Sequence, residues 1–301
     1  MTALAVTGGT GFVGSTLIAQ ALAAGHTVRA LTRRPQAPRD NVVWIEGSLE
    51  TPDGLARLAQ GADAVIHIAG VINAPDRAGF AHGNIEGTQA MVAATRTAGV
   101  QRFVHVSSLA AREPELSIYG WSKAGAEAVV MDSGLEWSMV RPPAVFGPGD
   151  MEMLELFRLA KHRLALLPPG GRLSVIEVSD LGRLLLALAG GGAEGMILEP
   201  DDGVAAGWSH KDFARAIGDA MGRRIASIAL PRPLMAAGAQ LDRLIRGSGA
   251  KLTPDRVAYF CHDDWVSDPT KRPPSQLWQP QVPTVDGLAA TAAWYRAQGL
   301  V

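Results

Sequence analysis

The chain has 301 residues, of which 47% are hydrophobic and 19% charged, a balance typical of a globular protein. Its formal net charge of −1 gives no bulk electrostatic reason to expect nucleic acid or an acidic membrane as a partner. The single cysteine, Cys261, excludes an internal disulfide and fits a reducing compartment. No apolar run approaches the ~20 residues of a membrane span, and the first residues lack the basic region of a signal peptide. We therefore expect a cytoplasmic protein with no membrane span.

Strand and helix signals alternate through the first half of the chain. Strands are predicted at 4–7, 27–32, 42–46, 64–69, 102–107 and 137–141. Helices are predicted at 12–24, 55–59, 85–98 and 119–132, and Gly25 and Gly99 stand where glycines commonly end a helix. This order predicts an α/β fold of the Rossmann type, a doubly wound parallel sheet with helices on both faces.

The regular alternation ends after Phe146. Turns are predicted at 147–149 and 168–171, a strand at 173–178, and helices at 151–162, 180–189, 210–221, 233–245 and beyond Pro254. Ser209 and Asp212 resemble a capping box before one of these helices. We therefore predict a Rossmann domain at 1–150, with additions to its sheet from about 173–200, and a smaller C-terminal lobe at 151–301.

A glycine-rich turn lies between the first predicted strand and the first predicted helix. Gly8, Gly11 and Gly14 form the spacing G-x-x-G-x-x-G. Such glycines allow a tight turn, close approach of the backbone to a pyrophosphate, and close packing of helix on strand. Because the N–H groups at the helix start would then face the phosphates, the turn predicts a dinucleotide cofactor.

Two arginines, Arg33 and Arg34, follow the second predicted strand. A fold that prefers NAD usually has a carboxylate there to hold the ribose 2′-hydroxyl, whereas a guanidinium suits a 2′-phosphate. This favours NADP(H) over NAD(H). The alternative is a solvated loop with two surface arginines.

Tyr119 and Lys123 stand four residues apart at the start of a predicted helix, which places both on one face. A free tyrosine titrates near pH ~10, and a nearby ammonium favours its phenolate, so proton exchange near neutral pH becomes feasible. The preceding strand ends in Ser107 and Ser108, whose hydroxyls could orient a substrate carbonyl beside the phenol. The alternative is an ordinary amphipathic helix.

Together these motifs resemble the extended short-chain dehydrogenase/reductase family, to which the NAD(P)-dependent epimerases and dehydratases belong. The resemblance covers most of the chain. It includes TGGTGFVG at 7–14, GSLE at 47–50, HIAG at 67–70, VSS at 106–108, YGWSK at 119–123 and RPPAVFGPGD at 141–150. It implies a catalytic site of Ser108, Tyr119 and Lys123, with Ser107 as the second choice of serine, and a lobe at 151–301 that mainly binds substrate.

The resemblance also implies a set of cofactor-contacting positions. Phe12 and Val13 would contact the pyrophosphate, Ala69 and Gly70 would run under the adenosine, and Asn84 would line the inner cofactor site. The full set is Gly8, Gly11, Phe12, Val13, Gly14, Arg33, Arg34, Ser48, Leu49, Ile68, Ala69, Gly70, Asn84, Ser107, Tyr119, Lys123, Pro142 and Pro143. The histidines lack the spacing of metal ligands, so no metal is expected; His67 and His105 are interpreted as core or cofactor-lining residues.

The chain departs from the family pattern at three places. Ser48 stands where an aspartate often holds the adenine, and Phe146 replaces the usual tyrosine of the pocket edge. The segment between Ser108 and Tyr119 is short, and residues 109–111 are apolar where dehydratases have acidic residues. A hydrophobic carbonyl or alcohol therefore suits this pocket better than dehydration chemistry.

Three functions are open at this level. The first is hydride transfer between the nicotinamide and an alcohol or ketone; the second is a sugar-nucleotide epimerase that keeps its cofactor bound. The third is a non-catalytic assembly subunit, which the joint presence of Ser108, Tyr119 and Lys123 disfavours. The resemblance also implies a homodimer formed through the predicted helices 85–98 and 119–132, whose small residues would allow close packing.

Overall fold

A computed structural model describes residues 2–247 and 253–301. The chain divides into two compact units. The first unit comprises Met1–Pro142, Ser179–Pro200 and Lys271–Gln279. The second comprises Pro143–Val178, Asp201–Thr270 and Pro280–Val301.

A seven-stranded parallel sheet is the centre of the first unit. Its strands are β1 (Ala3–Thr7), β2 (Thr27–Thr32), β3 (Val42–Glu46), β4 (Ala64–His67), β5 (Arg102–Val106), β6 (Glu136–Val140) and β11 (Met196–Leu198). They lie in the order β3-β2-β1-β4-β5-β6-β11, and all neighbours are parallel. The order reverses between β1 and β4, and open α/β sheets bind ligands at the carboxyl ends of the strands beside such a point. The predicted Rossmann-type fold is therefore confirmed.

The helices of the first unit cover this sheet. They are α1 (Phe12–Ala23), α2 (Pro52–Ala59), α3 (Arg77–Phe80), α4 (Gly87–Thr97), α5 (Ile118–Met131) and most of α7 (Val178–Ala189). A π-helical turn, Ala81–Glu86, joins α3 to α4, and a 3₁₀ turn, Leu109–Arg112, precedes α5. One apolar cluster includes Leu58 of α2, Met91 of α4 and Phe103 of β5, all fully buried. This burial fixes the helices against the sheet and holds the strand ends in place.

The second unit contains shorter strands and five helices among its described residues. The strands are β7 (Ala144–Phe146), β8 (Leu164–Leu167), β9 (Arg172–Leu173), β10 (Val175–Glu177), β12 (Trp208–Ser209), β13 (Ala226–Ala229) and β14 (Asp264–Trp265). The helices are α6 (Leu154–Lys161), α8 (His210–Ala220), α9 (Arg232–Arg246), α10 (Pro254–Phe260) and α11 (Thr284–Ala297). Its core contains Phe146, Phe213 and the ring pair Phe157–Tyr295, whose centroids are 5.0 Å apart.

The structure corrects several predicted boundaries. The strand predicted at 173–178 is wrong as one element, because β9 pairs with β12 and β14 whereas β10 pairs with β7. Between them, Ser174 is held by Asp201 and by the N–H of Ser267. The helix predicted from 151 begins at Leu154, because the Asp150 carboxylate accepts from the N–H groups of the two residues before it. The predicted cap is confirmed: Ser209 Oγ accepts from Asp212 N at 3.0 Å.

Candidate active site

The glycine-rich turn after β1 is closely packed against the end of β4. Gly8 has φ +73°, a conformation that side chains disfavour, and a Cβ there would lie 2.9 Å from Ala69 N. Gly11 N donates to Gly8 O at 3.0 Å, and a Cβ on Gly14 would overlap that same carbonyl. The structure therefore brings the turn together with the predicted segment that contains Ala69.

The start of α1 is suited to an anion. The N-cap residue is Gly11, and among the described residues no side chain accepts a capping hydrogen bond from the helix start. The first turn contains no acidic residue. The first N–H groups of such a helix can bind a ligand, and the helix dipole favours a negative one. The roles of Phe12 and Val13 in contacting the pyrophosphate stay predictions. The main chain here fits the pyrophosphate of a dinucleotide.

The residues predicted to contact the adenosine half of the cofactor follow β2 and β3. Arg33 and Arg34 are exposed directly after β2, and Thr32 Oγ1 donates to Arg34 O at 2.6 Å. Ser48 Oγ accepts from Glu50 N at 3.2 Å, so this hydroxyl stabilises its own turn. Leu49 packs against Gly87, where a Cβ would lie 2.6 Å from Leu49 Cδ1.

Asn84 fastens the loop after β4 to α5. Its Oδ1 accepts from Val71 N at 2.7 Å, and its Nδ2 donates to Val71 O at 3.0 Å and to Ser122 Oγ at 2.8 Å. Gly70 lies beside this clamp, because a Cβ there would be 2.8 Å from Asn84 Oδ1 and 3.8 Å from Lys123 Nζ. Gly70, Asn84 and Lys123, which are far apart in sequence, are thereby neighbours.

Local sequence places Tyr119 and Lys123 at the start of α5. Ser117 Oγ caps the helix by accepting from Gly120 N at 2.9 Å. A Cβ on Gly120 would lie 2.6 Å from Ala110 O, so glycine lets α5 approach the 3₁₀ turn closely. Tyr119 is half-buried, with its ring centroid 6.2 Å from that of Phe80.

The ammonium of Lys123 is anchored at the end of β5. Its Nζ donates to Val106 O at 2.8 Å, and the residue is buried. Burial lowers the pKa of Lys123 to about 8, and the nearby Glu127 carboxylate opposes that shift. The side chain is therefore a positive charge at neutral pH that titrates within a range relevant to catalysis.

The two serines after β5 have different partners. Ser107 Oγ donates to Glu127 Oε1, whereas Ser108 Oγ accepts from Ala110 N at 3.2 Å and caps the 3₁₀ turn. Pro142 O accepts from Leu109 N at 3.2 Å, which holds this turn near the end of β6. Glu127 is a residue that the sequence analysis did not single out, although its position four residues after Lys123 was a visible signal.

Two stacked histidines lie in the sheet within reach of the Lys123 charge. His67 bonds Thr7 Oγ1 at 2.8 Å and Thr88 Oγ1 at 3.1 Å, and burial, with the Lys123 charge second, lowers its pKa to about 3. The ring centroids of His67 and His105 are 5.4 Å apart. Neither ring nitrogen of His105 has a hydrogen-bond partner among the described residues. Both are buried in β4 and β5, and burial lowers the pKa of His105 well below its ordinary value. Within the described part of the chain, no group of three His, Cys, Asp or Glu side chains is arranged to hold a metal.

The chain is similar to known proteins over most of its length. A family model described as NAD(P)H-binding matches residues 8–151. Ceramide reductase of Caulobacter vibrioides is 37% identical over 98% of this chain and 95% of its own length. The chain belongs to the extended short-chain dehydrogenase/reductase family.

Two further proteins are similar to this chain, one in part of its sequence and the other in structure over nearly its whole length. A 4-hydroxy-2-methyl-3-oxo-4-farnesyl-3,4-dihydroquinoline-1-oxide ketoreductase of Stigmatella aurantiaca is 32% identical over 63% of this chain and 65% of its own length. The structure of a human epimerase family protein with NADPH has a TM-score of 0.75 at 21% identity, covering 97% of this chain and 99% of that one. The first is a reductase relative, and the second supports the fold.

These findings define the biochemical class. The chain has an NAD(P)H-binding domain, and its relatives are named reductases, which supports an NAD(P)-dependent oxidoreductase of the short-chain dehydrogenase/reductase type. Across residues 2–247 and 253–301, no helix has the length and apolar character needed to cross a bilayer.

Proposed function

We propose that this protein transfers a hydride between NADP(H) and the carbonyl or alcohol carbon of a hydrophobic, lipid-like substrate. The observation behind this proposal is the anchored ammonium of Lys123, which stands one helical turn from Tyr119 and near the end of the strand that leads to Ser108. This arrangement provides a proton donor, a positive charge and a hydroxyl at one edge of the sheet.

The direction of reduction illustrates the chemistry. A nicotinamide cofactor held by the glycine turn and Lys123 would supply the hydride for the carbonyl carbon. Tyr119 gives its phenolic proton to the carbonyl oxygen, so that the ketone becomes an alcohol. The Lys123 charge favours the phenolate left on Tyr119, and Ser108 orients the substrate oxygen by a hydrogen bond.

The names of the relatives support a lipid-like substrate. One relative is a ceramide reductase and another is a ketoreductase of a farnesylated ring system. The apolar residues 109–111 beside Ser108 favour the same substrate class, since they offer no acidic group for dehydration. We assign recognition of the carbon skeleton mainly to residues 151–301, and we retain the proposal of a homodimer through α4 and α5.

The test is a turnover screen. Purified protein is incubated with NADPH and a panel of long-chain, ceramide-type, alicyclic and aromatic ketones, and cofactor oxidation is followed by absorbance and product by mass spectrometry. We expect net reduction of long-chain ketones. Reduction of none of them, together with copurification of tightly held cofactor, would contradict the proposal and favour an epimerase.

A further inference from the structure

Helix α9 of the second unit has one apolar face that is packed and another that is exposed. Met235 and Ala239 are buried against Val257 of α10. The other apolar residues of the helix are exposed: Leu234 by 59%, Leu241 by 57%, Leu244 by 83% and Ile245 by 72%. An isolated exposed leucine is ordinary, but four on one helix form a patch of the kind that marks an interaction site.

The spacing places these four side chains together. Relative to Leu234, the others stand seven, ten and eleven residues on, so they fall along one side of a helix with 3.6 residues per turn. The helix is 15 residues long and is too short to cross a bilayer. A helix with this pattern can lie in the plane of a membrane surface with its apolar side inserted.

The charge of the surrounding sequence identifies the partner. Between residues 223 and 256, seven basic residues stand against two acidic ones, although the whole chain has a net charge of −1. The basic residues are Arg223, Arg224, Arg232, Arg243, Arg246, Lys251 and Arg256, and the acidic ones are Asp242 and Asp255. The bulk charge of the chain therefore conceals a local basic segment centred on the helix with the exposed leucines.

We propose that α9 docks the protein on an anionic phospholipid bilayer. The exposed leucines and isoleucine enter the boundary between headgroups and acyl chains, and the exposed Arg223, Arg224 and Arg232 attract the negatively charged surface. A second copy of the chain would also cover an apolar face, but it would bring two like-charged segments together. The docking goes beyond the proposed activity, and it would give such an enzyme access to substrates dissolved in a membrane.

The experiment is vesicle flotation of the full chain without substrate or cofactor. Vesicles of phosphatidylcholine alone are compared with vesicles that also contain phosphatidylglycerol, at low and high salt. We expect the protein to float with the anionic vesicles, to bind phosphatidylcholine weakly, and to be released as salt screens the charges. Equal binding to both vesicle types at both salt concentrations, or binding to neither, would overturn the proposal.

Matched variants test the helix itself. The double variant Leu244→Ser/Ile245→Ser should lose at least about tenfold in vesicle affinity, whereas Val285→Ser, another exposed apolar position, should keep it. Arg232→Gln should lose about fivefold, and Arg215→Gln, an equal change of charge on α8, should not. Because all these side chains are exposed, circular dichroism should show an unchanged fold.

Two results would overturn this assignment of α9. One is undiminished flotation of the double variant. The other is that this variant converts a dimer into a monomer in light scattering while the parent protein binds no vesicles, which would make α9 a contact between copies. Since docking is measured without turnover, its outcome is independent of whether any ketone is reduced.

Discussion

Ser107 Oγ donates to Glu127 Oε1 across 2.5 Å in a buried setting. Glu127 in turn accepts from Arg141 through two bonds of 2.8 and 2.6 Å. The hydroxyl proton of Ser107 is thus directed into a charged network formed by Glu127 of α5 and Arg141, which follows β6. Ser108 Oγ accepts from a backbone N–H, a bond that leaves its own proton for another acceptor.

This difference predicts separate consequences for the two serines. Ser108→Ala should lower kcat/KM for a ketone by about 10²-fold, because an orienting donor to the developing oxyanion is lost. Ser107→Ala should have a smaller effect on kcat but should lower the free energy of unfolding by about 1.5–3 kcal/mol, since a bond to a charged group is removed. Kinetics and urea unfolding measure both. The reverse pattern would make Ser107 the orienting hydroxyl.

The cofactor preference depends on Arg33 and Arg34. Replacing both by alanine should raise the Kd for NADPH on the order of 10–100-fold, because charge-assisted bonds to the 2′-phosphate are lost, and should leave the Kd for NADH nearly unchanged. Arg39→Ala is the matched control, since this arginine is also exposed but stands outside the predicted fingerprint. Fluorescence titration measures the constants. Equal affinities of the parent protein for the two cofactors would refute the preference.

The glycine turn gives a test of cofactor binding. A Cβ on Gly11 would already lie 3.3 Å from Gly8 O, and a valine there would place its methyl groups where the pyrophosphate must approach. Gly11→Val should abolish NADPH binding in calorimetry while the circular dichroism spectrum stays native. Ser15→Ala, on the same helix, should bind normally. Unimpaired binding by Gly11→Val would assign the turn another purpose.

The titration of Lys123 predicts a pH dependence. Its pKa of about 8 means that the ammonium is present below that pH, so turnover should fall as the pH rises through about 8. Because the Glu127 carboxylate raises this pKa, Glu127→Gln should shift the fall to lower pH. The free energy of unfolding changes in the opposite direction and rises with pH. A lysine whose folded pKa is lowered destabilises the fold while it is charged, and this destabilisation shrinks as the pH rises from about 8 towards 10.5. A pH profile of kcat/KM that is identical in the parent and in Glu127→Gln would contradict this account.

The sequence predicted the parts of the fold that depend on local periodicity. The predicted bounds of β2 and β3 agree with the structure residue for residue, because short β-rich runs there are limited by turn residues. The pair of β8 and β13 was not predicted, since it joins Leu164–Leu167 to a segment about 60 residues later, and neither run has a distinctive pattern. Pairing between distant segments leaves little trace in either segment alone.

The candidate site likewise has parts that the sequence predicted and parts that it could not predict. The glycine turn and the Tyr119–Lys123 pair have local spacings that indicate their chemistry. In the structure the turn follows β1, and Lys123 Nζ donates to Val106 O at the end of β5. The Asn84 clamp on Val71 and the bond between Ser107 and Glu127 join different elements. Their partners become visible only once β4, β5 and α5 are packed, so sequence spacing could not supply them.

The central claim is that Tyr119 exchanges the proton with the substrate oxygen, and Tyr119→Phe tests it most directly. The ring and its packing beside Phe80 are kept, but the proton is lost. With a ketone found in the screen, we predict that kcat falls by about 10²–10⁴-fold while the Kd for NADPH and the thermal stability stay at parent values. Tyr259→Phe, a change of another half-buried tyrosine, is the control and should retain activity. Turnover by Tyr119→Phe at the parent rate would contradict the assignment of this active site.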